Sequence, residues 1–222
     1  MVDRYIFNYS KTGIVDFFST VMRVVLDWNA YFERAEPASP IIWQDFVVGI
    51  RAQKIAFLLG EASVREGLLA PDEVEILQDL ARRHLDCIMY GNEIHYTNHT
   101  FADLHGVMAL AQVVDPGQRP ELHDFVRTHF SRLLDTQFDV WGLHREHSFQ
   151  YQDVGLQWLR RLASSGWFDA FNIKPHIARA EAVREWLQLP DGRLAPVGDT
   201  DGARFTGKKT AKSPTSGDSV WN

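Results

Sequence analysis

Asn98-His99-Thr-Phe101-Ala-Asp-Leu-His-Gly-Val-Met-Ala-Leu-Ala-Gln-Val-Val114 is the stretch from which the fold of this chain is read. It predicts an apolar helix from Phe101 to Val114, entered at Asn98-His99 and stopped near Asp115-Pro-Gly-Gln. A second motif, Gly142-Leu-His-Arg-Glu146-His147-Ser148-Phe149-Gln150-Tyr151, opens a later helix. Together they put an amide, several imidazoles, a carboxylate and a phenol at helix ends, where side chains converge on a ligand.

Outward from these motifs the pattern stays helical. Val15, Phe18, Val21, Met22, Val25 and Leu26 recur at the three-and-four spacing of an amphipathic helix over Thr12 to Ala35, ended by Glu36-Pro-Ala-Ser-Pro40. A further helix is expected from Ile42 to Leu59 around Arg51. Another starts at Pro71-Asp72-Glu73, where proline and acidic residues suit a first turn, and runs to Met89 before Gly91-Asn92. Helices are also expected over Pro120 to Gln137, Gln150 to Ser164 and Ile177 to Leu187. Few stretches alternate as strands do, so the fold class is all-α, with successive helices packed as antiparallel hairpins. From Asp191 the texture changes to turn and extended chain, and Gly202 to Asn222 reads as a loose tail.

The chain has 222 residues, 45% of them hydrophobic, which suits one domain plus a tail. A net charge of −6 speaks against a nucleic-acid partner, because such proteins present basic patches. The apolar windows are too interrupted for a membrane span: Asp16, Ser19, Thr20 and Arg23 break the one from Ile14 to Leu26. The residues after Met1 lack the basic and apolar regions of a secretory signal, so the chain as given reads as cytoplasmic. Cys87, the single cysteine, reads as a buried thiol. His95, His99 and Asp103 share an i, i+4 spacing that on one helix would align metal-type ligands, but Asn92 to Thr97 reads as linker and no metal is expected.

At Asn98-His99 and Glu146-His147-Ser148-Phe149-Gln150-Tyr151 the chain resembles the heparinase II/III-like polysaccharide lyases and the related alginate lyases. The family has Asn-His at the start of a toroid helix and, later, a pattern close to Gly-x-His-x-Glu-His-Ser-Pro-x-Tyr-His. Here Phe149 and Gln152 stand where the family often has proline and histidine. Weaker similarity lies in Trp43 to Arg51 and in Leu189-Pro-Asp-Gly through Pro196-Val-Gly-Asp199, so the resemblance spans most of residues 40 to 200.

The resemblance implies an incomplete α/α toroid over residues 1–190. Residues 191–222 would be an extended or disordered tail at the start of a missing β-sandwich, making the chain a fragment with weak or no turnover. It also implies β-elimination on a uronic-acid-containing polysaccharide. That reaction neutralises the C5 carboxylate, removes the C5 proton and expels the O4 oxygen. Asn98 and His99 would neutralise the carboxylate, and Tyr151 would act as acid, or as acid and base in turn. Glu146, His147, His144 and Arg51 are the expected substrate-binding residues. His147 or His144 would supply positive charge beside Tyr151. Trp43, Tyr96, Trp141 and Trp158 are candidates to stack on sugar rings. No cofactor is implied, the partner is an anionic polysaccharide, and family members are typically periplasmic or secreted. The rival expectations are a non-catalytic helical protein that binds a polysaccharide or a partner, and an inert remnant that self-associates through exposed toroid edges.

Overall fold

Helices form where the three-and-four spacing predicts them, with one addition at the start. A computed structural model of the chain describes residues 2–34, 40–43, 46–91 and 93–200. In chain order the helices are α1 (Asp3–Thr12), α2 (Val15–Arg34), α3 (Phe46–Val64), α4 (Pro71–Asp86), α5 (Thr100–Ala111), α6 (Arg119–Gln137), α7 (Phe149–Ser164) and α8 (Ile173–Arg184). The fold is all-α. Among the described residues, β pairing is confined to the isolated bridges Phe138–His144 and Gln188–Leu194. The break at residues 35–39, the stop at Asn92 and the tail from 201 onward lie outside the described residues.

The sequence reading begins the first helix at Thr12, whereas a separate helix precedes it. Gly13 takes a left-handed conformation (φ 69°) and its N–H closes α1 on the Tyr9 carbonyl, so the chain turns and restarts at Val15. At the start of α4 the Glu73 carboxylate accepts from the Ala70 N–H at 2.8 Å, with Pro71 in the first turn. That helix gives way to a π-helical turn over Cys87–Gly91. The Cys87 thiol is half-buried and donates to the Trp43 carbonyl.

Helix α5 is buried at every position except Asp103, which explains its unbroken apolar run. Its tightest neighbour is α3. A β-carbon at Gly49 would lie 2.4 Å from the Ala102 carbonyl, and one at Gly106 would lie 2.7 Å from the Gly49 oxygen. The two backbones therefore touch where only glycine fits, and Val48, Ile55 and Leu58 pack with Leu104, Val107 and Met108 beside that contact.

Contacts along the helices give their directions. Asp3 meets Lys54 and Tyr9 meets Glu61, so α1 and α3 run the same way. Gly49 meets Ala102 and Gly60 meets Val113, so α3 and α5 do as well. Phe101 stacks on Trp158, which brings α7 alongside α5. The partners return antiparallel, as Asp153–Arg184 and Arg160–Glu181 show for α7 and α8. The chain is thus a series of antiparallel helical hairpins. No helix among the described residues is long and apolar enough to cross a membrane.

Candidate functional site

Each of the two motifs stands at the entrance of a helix. His99 is the residue before α5, with its N–H directed to Thr97 Oγ1 at 3.3 Å and its ring against Phe46, 4.8 Å between centroids. Asn98 is half-buried in the turn just before it. His95 sits in irregular chain, so its spacing to His99 is not that of a helix face. No group of three or more metal-type side chains converges among the described residues.

The α6–α7 connection folds back on itself. Asp139 Oδ1 accepts from the Trp141 and Leu143 N–H groups, and the Arg145 N–H returns to the Gln137 carbonyl at 2.8 Å. Ser148 then caps α7, its Oγ accepting from the Tyr151 N–H at 3.5 Å. Tyr151, in the first turn, is half-buried, and its hydroxyl makes no hydrogen bond among the described residues. The ring of His144 lies nearly parallel to that of Tyr151, at 6.2 Å and 22°.

Glu146 and His99 bring the two connections together electrostatically. Partial burial raises the Glu146 pKa; the His99 imidazole opposes this, and the Asp199 carboxylate adds to it. The α5 entrance, the α7 entrance and the segment ending at Asp199 therefore share one electrostatic neighbourhood. His147 is exposed in a left-handed conformation (φ 53°).

Two expected ligand contacts are placed elsewhere. Arg51 does not face the His99 end. Its Nε donates to His84 Nε2 at 3.2 Å, its Nη2 donates to the Ile42 carbonyl, and its guanidinium lies 4.8 Å from Trp28 and 5.5 Å from Trp43. It is a stacked structural cation, because α3 turns this position toward α2 and α4. His144 is only 1% exposed, wedged against Phe138 and Gly155. Burial pushes its pKa down to about 4, so at neutral pH it brings no positive charge to Tyr151. Of the candidate sugar-stacking rings, Trp43 packs on Phe32 and His84, Tyr96 bonds His129 Nδ1, and Trp158 lies on Phe101. Trp141 is 75% exposed.

The chain matches no family model, no curated protein and no solved structure. The site therefore rests on its own geometry.

Residues outside the quoted motifs build the site too. Gln152 is fully buried, takes the His144 N–H on Oε1 at 2.6 Å and donates to the carbonyls of Gly142 and Ala180. It ties the α6–α7 connection to α8. Thr200 Oγ1 accepts from the Phe149 and Gln150 N–H groups and donates to the Val197 carbonyl. The segment leading to it packs so closely that a β-carbon at Gly198 (φ 61°) would lie 2.4 Å from the His147 oxygen. Phe46, Asp199 and Thr200 carried no site signal individually, though Asp199 ends a passage that the resemblance marked.

Proposed function

We propose that this chain is the helical part of a polysaccharide lyase that cleaves a uronic-acid-containing chain by β-elimination. The observation that carries the reading is that Glu146 and His99, from the two separate motifs, lie close enough for the imidazole to act on the carboxylate, beside a Tyr151 hydroxyl that spends its proton on no protein acceptor among the described residues. The repeated hairpins, with α1, α3 and α5 running one way, are what an incomplete α/α toroid would contain. In this reading the Asn98 amide and the His99 imidazole donate hydrogen bonds to the uronate carboxylate, whose charge grows as the C5 proton leaves. Tyr151, as the phenolate, takes the C5 proton, the C5–H electron pair becomes the C4–C5 double bond, and as the C4–O4 bond breaks the Tyr151 phenol returns that proton to the departing oxygen. To start as the phenolate, Tyr151 needs a donor or positive charge beside it, and with His144 neutral the candidate for that is His147. Glu146 accepts from sugar hydroxyls.

A second reading, a non-catalytic module that holds a polysaccharide, is favoured by Trp141 and Trp186, which are 75% and 87% exposed. Incubation with alginate, heparan and chondroitin chains separates the two. Ultraviolet absorbance from the conjugated double bond supports the lyase reading, and retention without that absorbance supports the module. Neither signal with any uronate polymer, even after long incubation at high protein concentration where weak turnover accumulates product, would remove both.

A further inference from the structure

Away from the His99 end, residues of α1, α3, α5 and α7 line an open cleft of about 410 Å³, inside the range of small-ligand sites. His105, on its wall, lies roughly 9 Å further along the α5 axis than His99, at 1.5 Å per residue. Its apolar walls include Phe57, Val113 and Trp167. Its polar groups are of a different kind from those of the proposed sugar site.

His105 is 7% exposed, yet its Nδ1 is buried without a hydrogen-bond partner among the described residues. A buried imidazole left in that state costs stability unless something in the cavity bonds it. Burial, together with Arg161 and Lys54 nearby, pushes its pKa down to about 3, so the ring is a neutral donor and acceptor. The Lys54 side chain, on the wall, is 16% exposed and its ammonium is bonded to Asp3, whose side chain is 66% exposed. Arg161 Nη2 donates to Gln53 Oε1 at 2.9 Å, and its guanidinium lies 5.2 Å from the Trp158 ring.

We propose that this cavity binds a small organic monocarboxylate with a flat apolar body, its carboxylate on Lys54 and His105 and its body against Phe57 and Trp167. Counting Lys54 and Arg161 against Asp3 and Glu61 the site is already neutral, so an incoming carboxylate takes the place of Asp3 on Lys54 and brings no more than the single negative charge it displaces. Asp3 already engages Lys54, and Glu61, also on the wall, would repel a dianion such as phosphate. This inference is independent of the lyase reading.

Benzoate is the probe, titrated calorimetrically into the full chain with benzamide and benzamidine as neutral and cationic analogues of the same shape. One benzoate should bind per chain, benzamide about tenfold or more weaker, and benzamidine not measurably, since a charged hydrogen bond in a sheltered site is worth that ratio. Asp3→Asn should tighten benzoate by releasing Lys54, and Lys54→Gln should weaken it about tenfold with the unfolding transition retained. The His105 ring resonances should move on saturation. Absence of benzoate binding at millimolar concentration would overturn the proposal. So would equal affinity for benzoate and benzamide, or unmoved His105 resonances. The Asp3→Asn and analogue measurements decide the matter even if Lys54→Gln does not fold.

Discussion

Thr200 Oγ1 lies 2.9 Å from the backbone nitrogen of Phe149, so a hydroxyl near the end of the described chain accepts the first N–H of α7. Ser148, the local cap, accepts from Tyr151 N–H, and Thr200 also takes Gln150 N–H at 3.3 Å. The helix entrance that carries Tyr151 is thus held from two directions. Thr200→Val keeps the shape and removes the acceptor. It should cost about 1–2 kcal/mol, the usual loss for a removed cap. Urea denaturation reads the loss, and amide exchange at Phe149 and Gln150 should accelerate beyond it.

Gly106→Ala tests the contact between α3 and α5. The added methyl would meet the Gly49 oxygen at 2.7 Å and the Ala52 β-carbon at 2.9 Å, neither of which is a flexible side-chain end. Helix propensity favours alanine by about 1 kcal/mol, but overpacking costs about 1–3 kcal/mol or more. The net should be destabilisation. A higher melting temperature for this variant would show that the helices separate easily there.

Arg51→Met replaces a cation stacked on two tryptophans by an apolar chain of similar length. His84 Nε2 loses its donor and the Ile42 carbonyl loses another. A loss of about 1–3 kcal/mol is expected from unsatisfied buried acceptors alone. If any uronate polymer binds, its affinity should be unchanged, which separates a structural arginine from a ligand-binding one.

Acid should unfold this protein through its buried histidines. Burial lowers the pKa of His84 and His144 to about 4 and that of His105 to about 3, from an ordinary 6.5. Between 6.5 and those values the unfolded chain binds protons that the folded chain refuses, so stability rises with pH across the window and falls on acidification. Each histidine contributes on the order of a few kcal/mol. Urea midpoints measured from pH 7 down to about pH 4 should fall steadily, and His84→Gln should flatten the slope.

Tyr151→Phe removes a hydroxyl with no protein partner among the described residues, so the fold should tolerate it. In the lyase reading, unsaturated product should fall by about a hundredfold to ten-thousandfold, while polymer binding stays. Product formed at the normal rate would remove Tyr151 from the chemistry.

Periodicity was enough to determine the helices from α2 onward, because burying one face or all faces of a helix leaves a local trace in the sequence. The unbroken run in α5 and the proline and acids that start α4 were legible in that way, whereas the Ser148 cap of α7 was not. Direction and depth were not. Arg51 and His144 sit in motifs that suggest a ligand, yet one is stacked between tryptophans of other helices and the other is sealed against Phe138 and Gly155. Their partners come from other elements, some near in the chain and some, such as His84, far along it, and no local pattern encodes which side of a helix meets which neighbour. The same holds for Thr200 on α7, for Asp199 beside Glu146, and for the cavity around His105. Each depends on how separate elements pack against one another. Only the assembled structure sets those distances, because they follow from how all the helices fill space together.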